Sequence, residues 1–450
     1  MNLSSLLRVR AESGRPVRVG LIGAGKFGSM FLAQVRRTVG LHLVGVADLG
    51  VERARAALER TGWERDAISA GSLEEAHARG TTHVTEDALA MIAAAEVEVV
   101  VEATGHPEVG IRHALACCRH GKHVVMVTVE ADALAGPLLA RRAREAGVVY
   151  SLAYGDQPAL ICELVDWARA SGFEVTCAGK GTKYLPHYHQ STPETVWEYF
   201  GLPAAEAARA GLNSKMFNSF IDGTKSAIEM AAVANATGLT PPRDGLAFPP
   251  AGADELATVL RPRAAGGVLE RQGMVEVVSS LSRDGQPVPR DLRWGVFVVL
   301  EADTEYVREC FQQYGMATDP SGRYAALYRP YHLVGLEVGI SVASAALRQE
   351  PTGAPHGFVA DVVATAKRDL APGELLDGEG GYLVYGKLVA AADSLATGAL
   401  PIGLAHGLRL SRAVEAGATL TWSDVEAGAG EESQALLARR EMEALFPLTP

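Results

Sequence analysis

Lysine and cysteine are scarce in this chain of 450 residues, and long apolar runs are missing. No apolar run reaches the roughly 18 residues of a membrane-spanning helix, so we expect no membrane association. A charged residue, Arg8, interrupts the start of the chain too early for a secretory signal. The five cysteines are odd in number and show no C-x-x-C spacing, which is typical of reduced thiols. These absences together predict a cytoplasmic protein.

The charge balance is acidic, because 53 Asp and Glu side chains outnumber 42 Lys and Arg side chains and give a net charge of −11. This balance argues against a nucleic-acid partner, since a phosphate-binding surface is basic. Apolar residues make up 48% of the chain and charged residues 21%, which excludes a disordered chain. At about 100–200 residues per domain, the length predicts two to four domains. Only 8 of the 42 basic residues are lysine, so the position of each lysine is informative.

A glycine-rich turn follows the first apolar strand. Residues 17–22 predict a strand, residues 23–28 form a G-x-G-x-x-G sequence, and residues 29–39 predict an apolar-periodic helix. In this order the glycines allow a tight turn, close backbone approach to a pyrophosphate and close packing of the helix on the strand. The pattern predicts a dinucleotide site whose contacts in this turn are Gly23, Ala24, Gly25, Lys26, Phe27 and Gly28.

An acidic residue ends the second predicted strand, Leu41–Ala47. This residue, Asp48, lies where an acid accepts a hydrogen bond from the ribose 2′-hydroxyl of NAD. Arg53 and Arg55 follow closely enough to meet the 2′-phosphate of NADP. The choice between NAD and NADP therefore stays open at this point.

Further strands and helices alternate along the N-terminal third. Strands are predicted at 97–101 and 122–129, with a helix at 109–120 between them, which indicates a doubly wound parallel sheet. Ligands of such sheets bind at the carboxyl ends of the strands. The residues expected there are Thr104, Gly105 and Thr128 for the cofactor and Glu130 for the substrate.

A lysine-, histidine- and tyrosine-rich strip occupies residues 179–189. Such a cationic, hydrogen-bonding loop suits a phosphate, a carboxylate or a developing alkoxide. A solvated basic loop is the simpler alternative, and the H-x-H pair is a weak signal for a metal. We predict Lys180 and Lys183 as catalytic residues, and as substrate-binding residues Tyr184, His187 and His189.

A second group of charged residues begins at Asp222. If residues 224–236 are helical, Lys225 and Glu229 lie on one face of an otherwise small and apolar helix. Burying such charges is costly unless they are paired or functional, so we predict that both are catalytic. Asp222 is either a catalytic residue or a helix N-cap. Four of the eight lysines fall within residues 180–225, which places the predicted active site in the middle of the chain.

Five motifs together resemble a known group of enzymes. They are the glycine turn, Val-Glu-Ala-Thr-Gly at 101–105, Tyr-Gly-Asp-Gln-Pro at 154–158, Gly-Lys-Gly-Thr-Lys-Tyr at 179–184 and Phe-Ile-Asp-Gly-Thr-Lys-Ser at 220–226. The chain resembles the homoserine-dehydrogenase-like oxidoreductases. Within these it is most similar to the deoxyxylulose-phosphate-reductoisomerase-like (DRL) enzymes, which carry a C-terminal SAF domain. The resemblance covers nearly the whole chain.

The resemblance implies a homodimer that reduces a small polar carbonyl compound with a nicotinamide cofactor, usually NADPH. In the DRL enzymes the product is 2-C-methylerythritol 4-phosphate, an isoprenoid precursor. Homoserine dehydrogenases place a lysine where this chain has Glu130, which favours the DRL branch. A divalent cation is compatible with an isomerisation step, and its ligands would be Asp156, Asp222 and Glu229. Asp156 is also a predicted substrate-binding residue. A homoserine-type dehydrogenase and a non-catalytic nicotinamide-binding sensor are the alternatives.

Three domains are expected. Residues 1–153 form a Rossmann dinucleotide-binding domain, residues 154–348 an α+β catalytic and dimerisation domain, and residues 349–450 a small β-rich SAF-like domain. The apolar segment 329–347 is expected to pack on the middle domain. The tail at 431–446 predicts an amphipathic helix.

Overall fold

The computed structural model describes residues 2–209, 212–426 and 433–446. The chain forms two compact units. The first unit contains the residues up to Leu160 together with 332–356 and 437–445, and the second consists mainly of residues 161–331 and 357–436. Within the described residues, no helix combines the length and the apolar character needed to cross a membrane.

A six-stranded parallel sheet forms the centre of the first unit. Its strands are β1 (Val17–Ile22), β2 (Leu41–Ala47), β3 (His83–Thr85), β4 (Val99–Glu102), β5 (His123–Met126) and β6 (Tyr150–Leu152). The strand order is β3-β2-β1-β4-β5-β6, which is the order of a Rossmann sheet. Side chains on both faces of the central strands are buried, as a parallel sheet covered by helices requires. The predicted doubly wound fold is confirmed.

Seven helices within residues 3–145 connect the strands of this sheet or flank it. They are α1 (Leu3–Glu12), α2 (Lys26–Val35), α3 (Val51–Arg60), α4 (Leu73–Arg79), α5 (Ala88–Ala93), α6 (Pro107–Arg119) and α7 (Val129–Glu145). α2 begins directly after Gly25, so the predicted strand, turn and helix follow one another as expected. This arrangement directs the first amide groups of α2 towards the carboxyl ends of β1 and β4.

A mixed four-stranded sheet lies in the second unit. It contains β7 (Glu174–Thr182), β8 (Met274–Ser279), β9 (Val296–Glu301) and β10 (Tyr324–Arg329) in the order β10-β9-β7-β8. β7 pairs in parallel with β8 and antiparallel with β9. The later strands form two small sheets, β11 (Ala360–Ala366) with β13 (Val384–Ala390), and β12 (Leu375–Asp377) with β14 (His406–Arg409). These short antiparallel pairs agree with the β-rich C-terminal region that was expected.

The remaining helices complete the chain. They are α8 (Gln157–Ala170), α9 (Val196–Phe200), α10 (Ala204–Arg209), α11 (Ser214–Ile221), α12 (Thr224–Thr237), α13 (Leu256–Val259), α14 (Glu305–Gln313), α15 (Gly339–Arg348), α16 (Ala391–Thr397) and α17 (Gln434–Leu445). α12 packs against β11 and β13 and is buried along almost its whole length. It is therefore the helix that positions the charged residues of the second unit.

Two expectations are corrected by the structure, and a third, the tail helix, is confirmed over the residues that the structure describes. The apolar segment at 329–347 does not pack as a whole on the middle domain, because α15 buries Val342 and Ala343 in the core of the first unit. The strip at 179–189 is not a single loop, since β7 extends to Thr182 and a short 3₁₀ helix covers Pro186–Gln190. The tail helix begins at Gln434, and the start of the predicted segment, 431–432, lies outside the described residues. The domain boundaries at 153 and 348 stay predictions.

Candidate active site

The glycine turn of the first unit has the shape that a dinucleotide needs. Gly23 has a φ of +95°, and a Cβ atom there would lie 2.5 Å from the carbonyl oxygen of Ala103. A Cβ atom on Gly28 would lie 2.2 Å from the carbonyl oxygen of Gly23, so the helix meets the turn without a gap. A Cβ atom on Gly25 would meet only open space. At Gly23 and Gly28 the surrounding backbone therefore excludes any side chain. Gly25 leaves open space in which a pyrophosphate would fit.

Asp48 lies beside this turn at the end of β2. Its carboxylate accepts hydrogen bonds from the backbone N–H groups of Ala24 at 2.9 Å and Gly50 at 2.8 Å. It also pairs with the exposed guanidinium of Arg53. Asp48, the acid expected to bind a ribose, is thus in direct contact with Arg53, the arginine expected to meet a 2′-phosphate. Lys26 is exposed at the start of α2.

A buried carboxylate links the carboxyl ends of β4 and β5. Glu102 is fully buried and accepts hydrogen bonds from the hydroxyl groups of Thr104 at 2.6 Å and Thr128 at 2.5 Å. The Thr128 hydroxyl also accepts from the backbone N–H of Gly105 at 2.9 Å, and His113 Nδ1 lies 3.3 Å from Glu102. The structure therefore brings together the three cofactor residues predicted at this edge. Glu102 itself was missed, although an acid at the end of an apolar strand was a visible signal.

Lys180 and Glu229 form a buried ion pair in the second unit. Lys180 lies on β7 and Glu229 on α12, and both side chains are at most 5% exposed. Lys225 and Glu229 lie four residues apart on α12, as expected, and the carboxylate of Glu229 pairs with the lysine of the neighbouring strand. Lys225 is half-buried one turn earlier on α12. Breaking such a pair leaves one buried charge without its partner, so the two groups hold each other in place.

Asp222 forms a second buried ion pair with a lysine that the sequence analysis did not select. Lys367 Nζ lies 2.7 Å from Asp222 Oδ2, and it also donates to the carbonyl oxygens of Ser191 and Gly381 at 2.8 and 2.7 Å. The other carboxylate oxygen of Asp222 accepts from the N–H of Thr224 at 2.9 Å. Gly223 occupies the N-cap position of α12, so Asp222 caps the helix from one residue further away. Its contacts are those of a structural residue.

Tyr184 and His189 form a hydrogen-bonded chain that ends at Asp222. The Tyr184 hydroxyl lies 2.9 Å from His189 Nε2, and His189 Nδ1 lies 2.7 Å from the carbonyl oxygen of Asp222. A carbonyl oxygen only accepts, so Nδ1 carries the proton and Nε2 accepts from Tyr184. Burial lowers the pKa of His189 and raises the pKa of Tyr184 to about 12. Both groups are therefore neutral near pH 7.

The other residues of the predicted site have contacts of their own. Lys183 is half-buried and donates to the carbonyl oxygen of Tyr199, and its burial lowers its pKa. His187 is exposed and packs edge-on against the ring of Tyr199. In the first unit, Asp156 accepts from the N–H of the next residue at 2.9 Å, and Glu130 is half-buried in the first turn of α7. The strip does not form one cationic surface.

The proposed metal ligands do not form a metal centre in the described part of the chain. No group of three or more His, Cys, Asp or Glu side chains there has the arrangement of a metal site. Asp222 and Glu229 each face a lysine ammonium, which occupies the position that a cation would take.

Three family models match the chain in sequence. Residues 17–153 match an oxidoreductase family with an NAD-binding Rossmann fold, residues 155–338 match the catalytic domain of oxidoreductase DRL, and residues 361–426 match the SAF domain. This domain content is that of an NAD(P)-dependent oxidoreductase. The NAD-binding, DRL catalytic and SAF domains expected from the resemblance are confirmed, whereas the homoserine-dehydrogenase-like grouping stays a prediction.

Three dehydrogenases or oxidoreductases are among the solved structures that match part of the chain. A myo-inositol dehydrogenase from Lactobacillus casei, solved with NAD(H) and myo-inositol, is 15% identical and has a TM-score of 0.29, with 40% of this chain and 50% of that chain covered. An oxidoreductase domain protein from Kribbella flavida is 18% identical, with a TM-score of 0.29 and 46% and 53% covered.

The WlbA dehydrogenase from Bordetella pertussis, solved with NADH and UDP-GlcNAcA, is 19% identical, with a TM-score of 0.27 and 39% and 49% covered. The chain thus spans about half the length of these structures. No curated protein matches the chain.

Proposed function

We propose that this protein is a nicotinamide-dependent reductase of a small, polar and phosphorylated carbonyl compound, as in the DRL enzymes. The observation that carries this proposal is the buried Lys180–Glu229 pair within the segment that matches an oxidoreductase catalytic domain. When bound, the nicotinamide cofactor supplies a hydride to the carbonyl carbon. The residues of the chain would bind and orient the two reactants and donate a proton to the alkoxide that forms.

The first unit would hold the cofactor. Gly25 leaves space for the pyrophosphate, and the amide groups at the start of α2 would donate hydrogen bonds to it. Asp48 and Arg53 would contact the ribose and its 2′-substituent. We propose NADPH as the cofactor, because the exposed Arg53 guanidinium can reach a 2′-phosphate while it compensates Asp48. Glu102 would keep the hydroxyl groups of Thr104 and Thr128 in fixed orientations near the nicotinamide.

The second unit would provide the acid. The Lys180 ammonium would donate a hydrogen bond to the carbonyl oxygen and a proton to the alkoxide that forms, because a buried charge acts there without competition from water. Glu229 would position the Lys180 ammonium and compensate its charge before the transfer, and a proton from solvent would restore the ammonium after the product leaves. Lys225 is the second candidate for this role, and Lys183 the third.

The substrate would be recognised by the polar side chains that were selected from the sequence. Glu130 and Asp156 would accept from substrate hydroxyl groups, and the neutral Tyr184 and His189 would bind through hydrogen bonds. His187 would contribute from the protein surface. We further propose that the protein works in the cytoplasm, as its cysteine pattern indicates, and that it is a homodimer of the isoprenoid pathway, as the resemblance implies.

A cofactor-oxidation screen tests the proposal. NADPH and NADH would each be offered with phosphorylated ketoses, aldehydes and semialdehydes, with and without Mg²⁺ or Mn²⁺. We expect oxidation of NADPH with a phosphorylated ketose. Activity restricted to substrates without a phosphate would contradict the proposed substrate class. Binding of the cofactor without turnover on any compound would favour a sensor.

A further inference from the structure

A small cavity of about 120 Å³ opens in the second unit, apart from the Lys180–Glu229 pair. Its walls come from the loop around Gly245, from His189 and from Tyr385 and Lys387 of β13. The first two segments match the DRL catalytic domain and the third matches the SAF domain. Since a cavity of this volume exceeds the space of one water molecule several times, it has room for a small organic molecule.

Helix geometry separates this cavity from the buried ion pair. Ala227 of α12 lines the cavity, and Glu229 of the same helix holds Lys180. Two residues along an α-helix rotate a side chain by about 200°, so these two positions face nearly opposite sides of α12. The cavity therefore lies on a different side of α12 from the Lys180–Glu229 pair, and His189, which is also proposed to bind the substrate of the reduction, is the residue that the two sites share.

The ammonium of Lys387 has no acceptor in the described part of the chain, although the residue is only half exposed. Tyr385, two residues earlier on the same strand, also carries a hydroxyl without a hydrogen-bond partner there. Side chains two residues apart on a strand point to the same face, and the alternating burial of β13 shows that this is its more open face. One face of β13 thus presents two donors without acceptors to the cavity.

The backbone of the facing loop is shaped around these groups. Gly245 has a φ of +88°, and a Cβ atom there would lie 3.0 Å from Cε of Lys387, so the lysine stem passes directly over the glycine. Phe248 adopts a φ of +49°, which is uncommon for an aromatic residue and is found at ligand sites. Its ring stacks on Tyr184 with centroids 3.9 Å apart, while the ring of Tyr385 stacks on His189 at 4.3 Å.

We propose that this cavity binds a small organic anion, with its carboxylate or phosphate group on Lys387 and Tyr385. The aromatic rings of Tyr385, His189 and Phe248 form flat walls for the carbon skeleton of the ligand. The exposed carboxylate of Asp244 at the rim repels a second negative charge, so a ligand with one anionic group fits best. The SAF domain then has a ligand-binding role, because it supplies both donors.

Calorimetric titration of the full chain with four probes tests the proposal. Benzoate and phenyl phosphate offer the two anionic groups on the same ring, benzyl alcohol offers the ring without charge, and inorganic phosphate offers the charge without a ring. We expect benzoate or phenyl phosphate to bind, and benzyl alcohol and inorganic phosphate to bind at least about tenfold more weakly, because charge-assisted hydrogen bonds and ring packing both contribute.

Two variants locate the binding. Lys387→Gln should weaken binding of the anionic probe by about tenfold or more, and Lys387→Arg should retain most of it. Arg243→Gln removes a positive charge from the neighbouring exposed loop and should change the dissociation constant less than about twofold. An unchanged thermal unfolding midpoint shows that each variant is folded. Absence of binding to the unmodified chain, or equal binding to Lys387→Gln and Arg243→Gln, overturns the proposal.

Discussion

Lys367 and Asp222 form an ion pair in which both side chains are at most 2% exposed, and the ammonium also donates hydrogen bonds to the carbonyl oxygens of Ser191 and Gly381. This contact connects the segment that matches the SAF domain to the segment that matches the catalytic domain. The position of Asp222, and with it the start of α12, therefore depends on a residue that is 145 positions further along the chain.

Removal of Lys367 should destabilise the protein strongly. We expect Lys367→Met to lower the free energy of unfolding of the second unit by about 3–5 kcal/mol, because Asp222 is left charged and buried. Urea unfolding at pH 7 measures this loss. The double variant Lys367→Met with Asp222→Asn keeps the hydrogen bond to Thr224 and should lose less than the sum of the single variants. Strict additivity would show that the pair is not coupled.

Lys180 is expected to act on the reaction and not on cofactor binding. Lys180→Gln combined with Glu229→Gln avoids an unpaired buried charge and should lower kcat by about 10²–10³-fold, as for the loss of a donor to a developing alkoxide. Binding of NADPH, followed by its fluorescence, should stay unchanged.

Lys215→Gln is the matched control for this variant. Its ammonium donates to the backbone carbonyl of Asp377 in the same unit, so its removal should leave kcat within a few-fold of the original. If the Lys180 double variant were as active as this control, Lys225 would replace Lys180 as the proposed acid.

The glycine turn allows stability and cofactor binding to be separated. Gly25→Ala adds a methyl group in open space and should leave the unfolding temperature without cofactor unchanged, while it weakens NADPH binding by about tenfold or more. Gly23→Ala adds a methyl group 2.5 Å from the Ala103 carbonyl at a positive φ and should lower the unfolding temperature by several degrees. If Gly25→Ala lowered the unfolding temperature and left NADPH binding unchanged, the pyrophosphate would not bind at Gly25.

The proposed preference for NADPH depends on Arg53. Arg53→Gln should weaken NADPH binding by about tenfold and should leave NADH binding within about twofold, because only the 2′-phosphate needs the guanidinium. Titration measures both dissociation constants. If binding of NADPH and of NADH weakened equally, Arg53 would only pair with Asp48 and would not contact the 2′-phosphate.

Asp132 is expected to make stability depend on pH. Burial raises its pKa to about 7, and only one of its oxygens has a hydrogen-bond donor, the Tyr150 hydroxyl at 2.8 Å. An unfolded aspartate ionises near pH 4, so between about pH 4 and 7 the unfolded chain loses a proton that the folded chain keeps. Stability should therefore fall as the pH rises through this range, by an amount on the order of 4 kcal/mol for the first unit.

The Asp132→Asn variant checks this expectation. Asparagine keeps the shape and the acceptor for Tyr150 but does not titrate. The variant should become more stable than the original protein as the pH rises from 5 to 8, measured by urea unfolding at each pH. Parallel curves for the two proteins would show that Asp132 ionises normally in the folded state.

Local sequence order was sufficient to predict which residues gather at the carboxyl ends of the strands in the first unit. The glycine turn, Asp48, Thr104 and Thr128 follow strands directly, and parallel strands bring their carboxyl ends to one edge of a sheet. Their proximity therefore follows from chain order alone. The acid that ends the apolar strand β4 was visible in the sequence, but its bond to Thr128 was not, because Thr128 follows a different strand.

The charged residues of the second unit were identified by type, but their partners were not. Glu229 has a candidate partner four residues away on its own helix, and its carboxylate pairs with Lys180 of β7. Asp222 pairs with Lys367, and the cavity at Gly245 is completed by Lys387. Periodicity within one helix contains no information about which strand packs on it.

By itself, the sequence determined the Rossmann sheet, the dinucleotide turn and the region where lysine is concentrated, because each depends on residues close together in the chain. Only the tertiary structure decided which lysine meets which carboxylate and which two donors of β13 are left without acceptors. Those outcomes depend on packing between distant segments, where burial makes an unpaired charge costly and so selects one partner for each group.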